Sequence, residues 1–457
     1  MSLREASAAT GAKALGEDIR FSAVSTDSRT LPRGALFVAL RGERFDGHRF
    51  LDAARDGGAA AAMVDEEARS TAESTRLPLL VVGDTRRGLA GLAAHWRSRF
   101  DIPLIAVTGS NGKTTVKEMI AAILRAHFGE THVLATEGNL NNDIGLPLTL
   151  LNLREHHRVA VVELGMNHPG ETASLAAIAS PTVALVNNAQ REHQEFMKGV
   201  AEVAREHAAV FDALRPGGVA VINADDEFAG YWRGLLAGKP VRDFGVDRPA
   251  QVSGRHELAH FGSRIELSAP EGEAEIELHA SGRHNVLNAC AAAASALAAG
   301  ASLRAVALGL AAFRPVGGRM QQLVARSGAR LIDDSYNANP DSVRAAIDVL
   351  RVEPGTKFLL LGDMGEVGER GAVFHEEIGR YARERGIDRL YAVGDLSRVA
   401  AEAFGKGARH FAAVEEMIAA AREEVVSNTT ALVKGSRFMR MERVVQALAA
   451  EAQKGAH

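Results

Sequence analysis

Cysteine is nearly missing from this chain: Cys290 stands alone among 457 residues, which rules out an internal disulfide. Its Ala-rich surroundings suit a small buried thiol, and a reducing cytoplasm is the expected compartment. No charge of one sign dominates. With 53 Lys+Arg against 57 Asp+Glu, the formal net charge is -4. That balance excludes a basic field for nucleic acid or an anionic membrane, so any anionic substrate must be held by local sites. No run of about 18 apolar residues is free of charges or breakers, and the first residues lack a signal-like apolar core. Neither membrane insertion nor export is therefore expected. Self-similarity at a period of roughly 20–50 residues is also missing.

What the chain does have is length and 46% hydrophobic content, enough for several cores. Three α/β domains are expected. Residues 1–84 read as a small α/β domain, with short strands at Ala35–Leu40 and Leu79–Val82 between turn signals such as Asp46-Gly47. Residues 85–313 change to apolar strands alternating with helices: Leu104–Val107, Val159–Val162, Val183–Val186 and Val219–Ile222. Such uniformly apolar runs mark a buried parallel sheet, here of the phosphate-loop ATPase type. Between Val252 and Leu278 the alternation in Ser263–Leu267 and Ala274–Leu278 predicts antiparallel strands joined to it, and an Ala-rich helix follows at Asn288–Ala299. Phe313-Arg314-Pro315-Val316-Gly317-Gly318 reads as a linker. Residues 314–457 repeat the strand–helix pattern at Arg330–Ile332, Lys357–Leu361, Arg389–Val393 and Thr430–Val433, predicting a Rossmann-like doubly wound sheet.

The strongest chemical signal is Ile105-Ala106-Val107-Thr108-Gly109-Ser110-Asn111-Gly112-Lys113-Thr114-Thr115, a strand entering a Gly-rich turn and then a helix. Gly109 and Gly112 let backbone N–H groups of Ser110, Asn111 and their neighbours close around phosphate oxygens. The helix N-terminus and Lys113 supply positive potential, and the Thr114 hydroxyl is placed to meet Mg²⁺. Val107 stands where the usual phosphate loop has its first glycine, so the loop is a variant. Glu163 ends an apolar strand, putting a carboxylate at the sheet edge where ligands gather; it is a candidate Mg²⁺ ligand.

The loop Thr-Gly-Ser-Asn-Gly-Lys-Thr-Thr resembles that of the Mur ligases and their folylpolyglutamate synthetase relatives. Ser25–Arg29 and Phe37–His48 are similar to the family's N-terminal uridine-nucleotide domain. Glu137–Gly145, Asp333–Pro340, Gly362–Glu366 and Val433–Arg437 are similar to the branch that adds a dipeptide. The resemblance spans all three domains. It implies that Asp27, Ser28, Arg29 and Arg41 approach the uridine diphosphate, and that His193 helps hold a second metal. It also implies that Asn288 meets the adenine, while Arg319 and Asp334 serve the ATP phosphate and ribose. Asn337 and Asn339 are candidates for the incoming dipeptide, with turn formation as the rival role. Asn139 and Asn142 suit a peptidyl substrate, and Asn-rich turns equally satisfy their own backbones. Lys434, Ser436 and Arg437 either contact substrate or fix the last strand.

One departure stands out. Many Mur ligases carry a carbamylated lysine in the helix after His193, and here His207 occupies that place. Histidine forms no such carbamate. His207 is thus either a nitrogen contact to Mg²⁺, direct or through water, or an exposed helix histidine. The resemblance implies a cytoplasmic, monomeric enzyme using ATP and Mg²⁺ on two substrates, UDP-N-acetylmuramoyl-tripeptide and D-alanyl-D-alanine. The rivals are a relative that adds diaminopimelate, lysine or glutamate, and a nucleotide switch that ligates nothing.

Overall fold

A computed structural model describes residues 1–42, 45–259 and 262–450. Glu43 and Arg44, inside the Phe37–His48 stretch, lie outside the described residues. Among the described residues three large sheets follow one another along the chain. The first has the strand order Lys13–Leu15, Leu79–Val82, Ala61–Asp65, Ala35–Val38, Ala23–Ser25, parallel except at its first pairing. Ala35–Val38 is shorter than its apolar run because Leu40 N turns back to Val38 O.

The central sheet has nine strands. Its parallel part runs Val252–Ala259, Val241–Gly245, Val219–Asn223, Val183–Val186, Leu104–Thr108, Val159–Glu163, Val133–Ala135. Gly262–Ala269 and Gly272–Leu278 extend it as the expected antiparallel meander. The apolar runs are buried on both faces, as continuous Val/Ile/Leu strands require. One face is covered by the helices Lys113–Phe128, Arg283–Ala298 and Leu303–Ala312. Alanine from 291 to 294 is wholly buried, since small side chains let Arg283–Ala298 lie close to the sheet. The other face is covered by Thr85–Ser98, Gly145–Leu150 and Glu171–Ala179, and the same core continues into the first sheet.

The third sheet has the order Gln321–Val324, Arg330–Asp334, Thr429–Lys434, Thr356–Gly362, Arg389–Val393, Ala408–Phe411, antiparallel only at Gln321–Val324. Helices pack on both of its faces. Leu303–Ala312 ends just before the linker, where Pro315 and the paired glycines 317 and 318 carry the chain across. In the central sheet the strand order reverses around Leu104–Thr108, which opens a crevice at the carboxyl ends of its strands. The third sheet faces that crevice.

Candidate active site

The turn after Leu104–Thr108 holds an arrangement that only glycine fits. Gly109 has φ 133 and Gly112 φ 82. A Cβ on Gly109 would lie 2.9 Å from Asn187 Cβ, and one on Gly112 2.6 Å from Asn288 Oδ1. Both the left-handed backbone and the close approach require the missing side chain. The turn is braced from the neighbouring strand end: Asn187 Nδ2 donates to Asn111 O (2.8 Å), Asn111 N donates to Asn188 Oδ1 (2.8 Å), and Asn111 Nδ2 to Gln190 Oε1 (2.6 Å). Lys113 begins the next helix, and its ammonium folds back to Gly109 O (2.5 Å) and Ser110 O (3.3 Å).

Glu163 is the last residue of its strand, in register with Val107 and 2% exposed. It accepts from Thr114 Oγ1 (2.8 Å) on one oxygen and from Asn141 Nδ2 (2.7 Å) on the other. A buried carboxylate and a hydroxyl converging at a helix N-terminus form an oxygen donor set suited to a hard divalent cation. Among the described residues no three His, Cys, Asp or Glu side chains form a metal cage. The observation that bears on magnesium is the carboxylate–hydroxyl pair, since this hard cation takes oxygen donors. The Thr114–Glu163 pair therefore fits the ion.

On the other side of the turn, His193 adopts φ 48 and places Nδ1 2.6 Å from Glu366 Oε2 of the C-terminal domain. The His193 contact holds the Glu366 carboxyl below its ordinary range, against the opposing effect of burial. Glu192 next to it is 5% exposed. Burial opposes its ionisation, but Lys113, His207 and His193 outweigh that and hold it at about 2. His207 departs from the expectation of an exposed helix histidine. It is wholly buried rather than exposed, with Nε2 2.7 Å from Glu192 Oε1 and Nδ1 2.9 Å from Thr108 Oγ1. A carboxylate only accepts, so in this arrangement Nε2 donates to Glu192 and Nδ1 accepts from the Thr108 hydroxyl, engaging both ring nitrogens within the protein. The helix Val200–Ala208 turns this histidine inward beneath the loop, a consequence of packing that the sequence did not reveal.

The cleft between the central and C-terminal sheets has a volume of about 1690 Å³. It is lined by Ser110 to Thr115, Asn142, Glu163, His193, Asn288, Arg319, Asp334, Asn337 and Asn339, bringing most of the sequence candidates together. Gly109, which precedes Ser110 in the turn, does not itself line it. Asn288 is buried and accepts from Asn187 Nδ2 (3.1 Å). The Arg319 guanidinium lies 4.1 Å from the Tyr336 ring centroid. Lys434, 2% exposed, bonds the Asp334 carboxylate and Asn337 O (3.0 Å), fixing the last strand to this wall. Asn339 caps the helix Pro340–Val352 in a capping box and donates to Asn111 Oδ1 (2.9 Å). Its amide thus does the local work of the rival reading and also ties the wall to the loop. Asn142 Oδ1 accepts from Gly145 N (2.8 Å), again a turn.

Besides Gly109 and the buried His207, five further candidates do not line this cleft. Asp27 pairs with Arg29 through two side-chain bonds (2.9 and 2.6 Å), and Ser28 lies between them. Arg41 pairs with Asp65 and Glu67 (3.0 and 2.7 Å), all on the N-terminal domain. Asn139 O accepts from Asn141 N in its own turn. Sequence reasoning missed Asn141, Glu192 and Arg191. Arg191 bridges the domains, binding Asp341 (3.0 Å) and Glu377 (2.7 Å). Burial works against its charge, and the two carboxylates more than offset that, raising it above its ordinary value. The available signal was Arg191-Glu192-His193 itself, three ionisable residues just beyond a buried strand.

Family patterns cover the chain in turn. The Mur ligase family catalytic domain matches residues 20–97, the Mur ligase middle domain residues 107–296, and the Mur ligase glutamate ligase domain residues 318–437. A UDP-N-acetylmuramoyl-tripeptide–D-alanyl-D-alanine ligase of Escherichia coli (strain K12) is 42% identical over 441 residues, 95% of either chain. MurF from Acinetobacter baumannii superposes with a TM-score of 0.91 at 34% identity, covering 97% of this chain and 98% of that one. A MurF ligase from Thermotoga maritima in complex with ADP has a TM-score of 0.79 at 27% identity, covering 93% and 96%.

Proposed function

The chain belongs to the Mur ligase family, and we propose that it joins D-alanyl-D-alanine to UDP-N-acetylmuramoyl-tripeptide at the expense of ATP. The products are the pentapeptide precursor of peptidoglycan, ADP and phosphate. The observation that carries this reading is the glycine turn at Lys113 set beside a buried Thr114–Glu163 pair at the floor of an interdomain cleft. The ADP-bound relative supports the use of ATP.

The acceptor carboxylate attacks the γ-phosphorus of ATP, ADP leaves, and an acyl phosphate forms. Lys113 leaves its own loop carbonyls to neutralise the transferring group, while backbone N–H groups from Ser110 to Thr115 hold the phosphates. Thr114 and Glu163 would hold a magnesium ion, which when bound would supply charge compensation to that group. The free amine of the dipeptide then attacks the acyl carbon, the tetrahedral species collapses, phosphate leaves, and the amine's proton passes to solvent or a neighbouring base. Asn288 is assigned to the adenine, Arg319 and Asp334 to phosphate and ribose, and Asn337 and Asn339 to the dipeptide. Asp27, Ser28, Arg29 and Arg41 are assigned to the uridine diphosphate, with Asn139 and Asn142 along the peptide. Closure of the C-terminal wall keeps water from the acyl phosphate.

The same reading divides the chain into a substrate domain at 1–84, an ATP-binding domain at 85–313 and a C-terminal ligase domain at 314–457. The three successive sheets support it, with Thr85–Ser98 packed against both of the first two domains. No helix among the described residues is long and apolar enough to cross a membrane. A monomer working in the cytoplasm, where ATP and nucleotide-linked precursors are found, is the corresponding proposal. The test is incubation with ATP, UDP-N-acetylmuramoyl-tripeptide and separate amines, followed by mass spectrometry. Incorporation of D-alanyl-D-alanine is expected; incorporation of a single amino acid in its place would overturn the assignment.

A further inference from the structure

Glu192 has no part in the chemistry set out above, yet it occupies the cleft floor between Lys113 and His193. Its Oε1 is held by His207 Nε2 at 2.7 Å, and His207 is itself held by Thr108 Oγ1 at 2.9 Å. Its Oε2 is treated differently. Lys113 Nζ stands 3.5 Å away and His193 Nε2 3.6 Å away, and among the described residues no donor makes a hydrogen bond to it. A buried carboxylate is expensive unless both oxygens are satisfied. One oxygen of Glu192 is clamped from beneath by a histidine and a threonine that do not line the cleft, while the other faces it. That is the geometry of a ligand with its support, in which a second residue fixes the orientation of the first.

We propose that Glu192 supplies an anionic oxygen to a divalent cation bound beside His193, separate from the one held by Thr114 and Glu163, and that His207 is the positioning residue that aims it. The inference rests on the ligase reading. It replaces direct metal contact by His207 with contact through its partner, and it gives the chain an anionic group at a position where histidine rules out a lysine carbamate. An oxygen donor of full charge suits magnesium better than an imidazole does.

The test counts bound Mn²⁺ by electron paramagnetic resonance on the full chain with a non-hydrolysable ATP analogue, with circular dichroism to verify folding. Two ions per wild-type complex are expected without added bicarbonate. Glu192→Gln should retain one and lose the second, its affinity falling at least about tenfold; His207→Asn should keep both ions but weaken the second roughly tenfold, the usual effect of losing an orienting partner. Glu192→Asp keeps the buried charge and withdraws it by one methylene, so it guards against a folding failure and should weaken the second ion alone. Two ions of unchanged affinity in the Glu192 variants, or a single ion in the wild type, would overturn the inference and leave the ligase reading standing. No ion bound with nucleotide by the wild type would overturn both.

Discussion

The two walls of the cleft are built differently. The central wall is held from within: the glycine turn, Asn187, Asn188, Gln190, Thr114, Asn141 and Glu163 bond one another inside a single domain. The C-terminal wall is attached from outside, by Arg191 to Asp341 and Glu377, by Asn339 to Asn111, and by His193 to Glu366. A nucleotide site gains from rigidity, because its donors must be aimed before charge develops. A wall that admits a dipeptide and then excludes water gains from contacts that open and close. The difference thus separates a preorganised half from a latched half.

Breaking the rigid half should cost most. Lys113→Ala is expected to lower kcat by about 10²–10³-fold, the scale for losing one donor to a developing oxyanion, with the circular dichroism spectrum unchanged. Phosphate release in the presence of acceptor and dipeptide reads this out; an effect below tenfold would remove Lys113 from the reaction. Breaking the latch comes next. Arg191→Ala should cost roughly 10–100-fold in kcat/KM, the value of a charge-assisted hydrogen bond at ~1.5–3 kcal/mol. It should also leave the ligand-bound radius of gyration larger by small-angle scattering. An unchanged radius would show that the walls stay together without it.

Asn339→Ala sharpens the comparison, since this residue serves its own helix as well as the latch. Loss of the cap should reduce stability by about 1 kcal/mol in urea titration. A rise in KM for D-alanyl-D-alanine on top of that would add substrate contact to the cap. The smallest effect concerns His284, which lines the cleft and is lowered from 6.5 to about 4, chiefly by burial and then by Lys434. The unfolded chain takes up this proton first, so its contribution to stability is complete above about 6.5 and is lost as pH falls toward 4. His284→Gln should therefore flatten the decline of Tm across that window relative to wild type. An identical decline in both proteins would contradict the shift.

Much of the rigid half was legible in the sequence. Leu104–Thr108 and Val159–Glu163 are apolar strands ending in polar residues, and the glycine turn lies between a strand and a helix, so local pattern alone places Lys113 and Glu163 at one sheet edge. The partners of those residues were not legible. Asn141 reaches Glu163 from 22 residues away, and His207 reaches Glu192 across 15, which depends on how turns and helix faces pack. Short edge strands such as Val133–Ala135 escaped as well, because three residues carry too little periodicity. The latch was invisible for a related reason: Arg191 and Asp341 are 150 residues apart, and nothing in either neighbourhood names the other.

The most direct test is a crystal structure of the protein with a non-hydrolysable ATP analogue and magnesium. The β- and γ-phosphates should lie against the backbone from Ser110 to Thr115 with Lys113 turned toward them, and a magnesium should sit between Thr114 and Glu163. A nucleotide bound elsewhere, with the turn around Lys113 empty, would contradict the account.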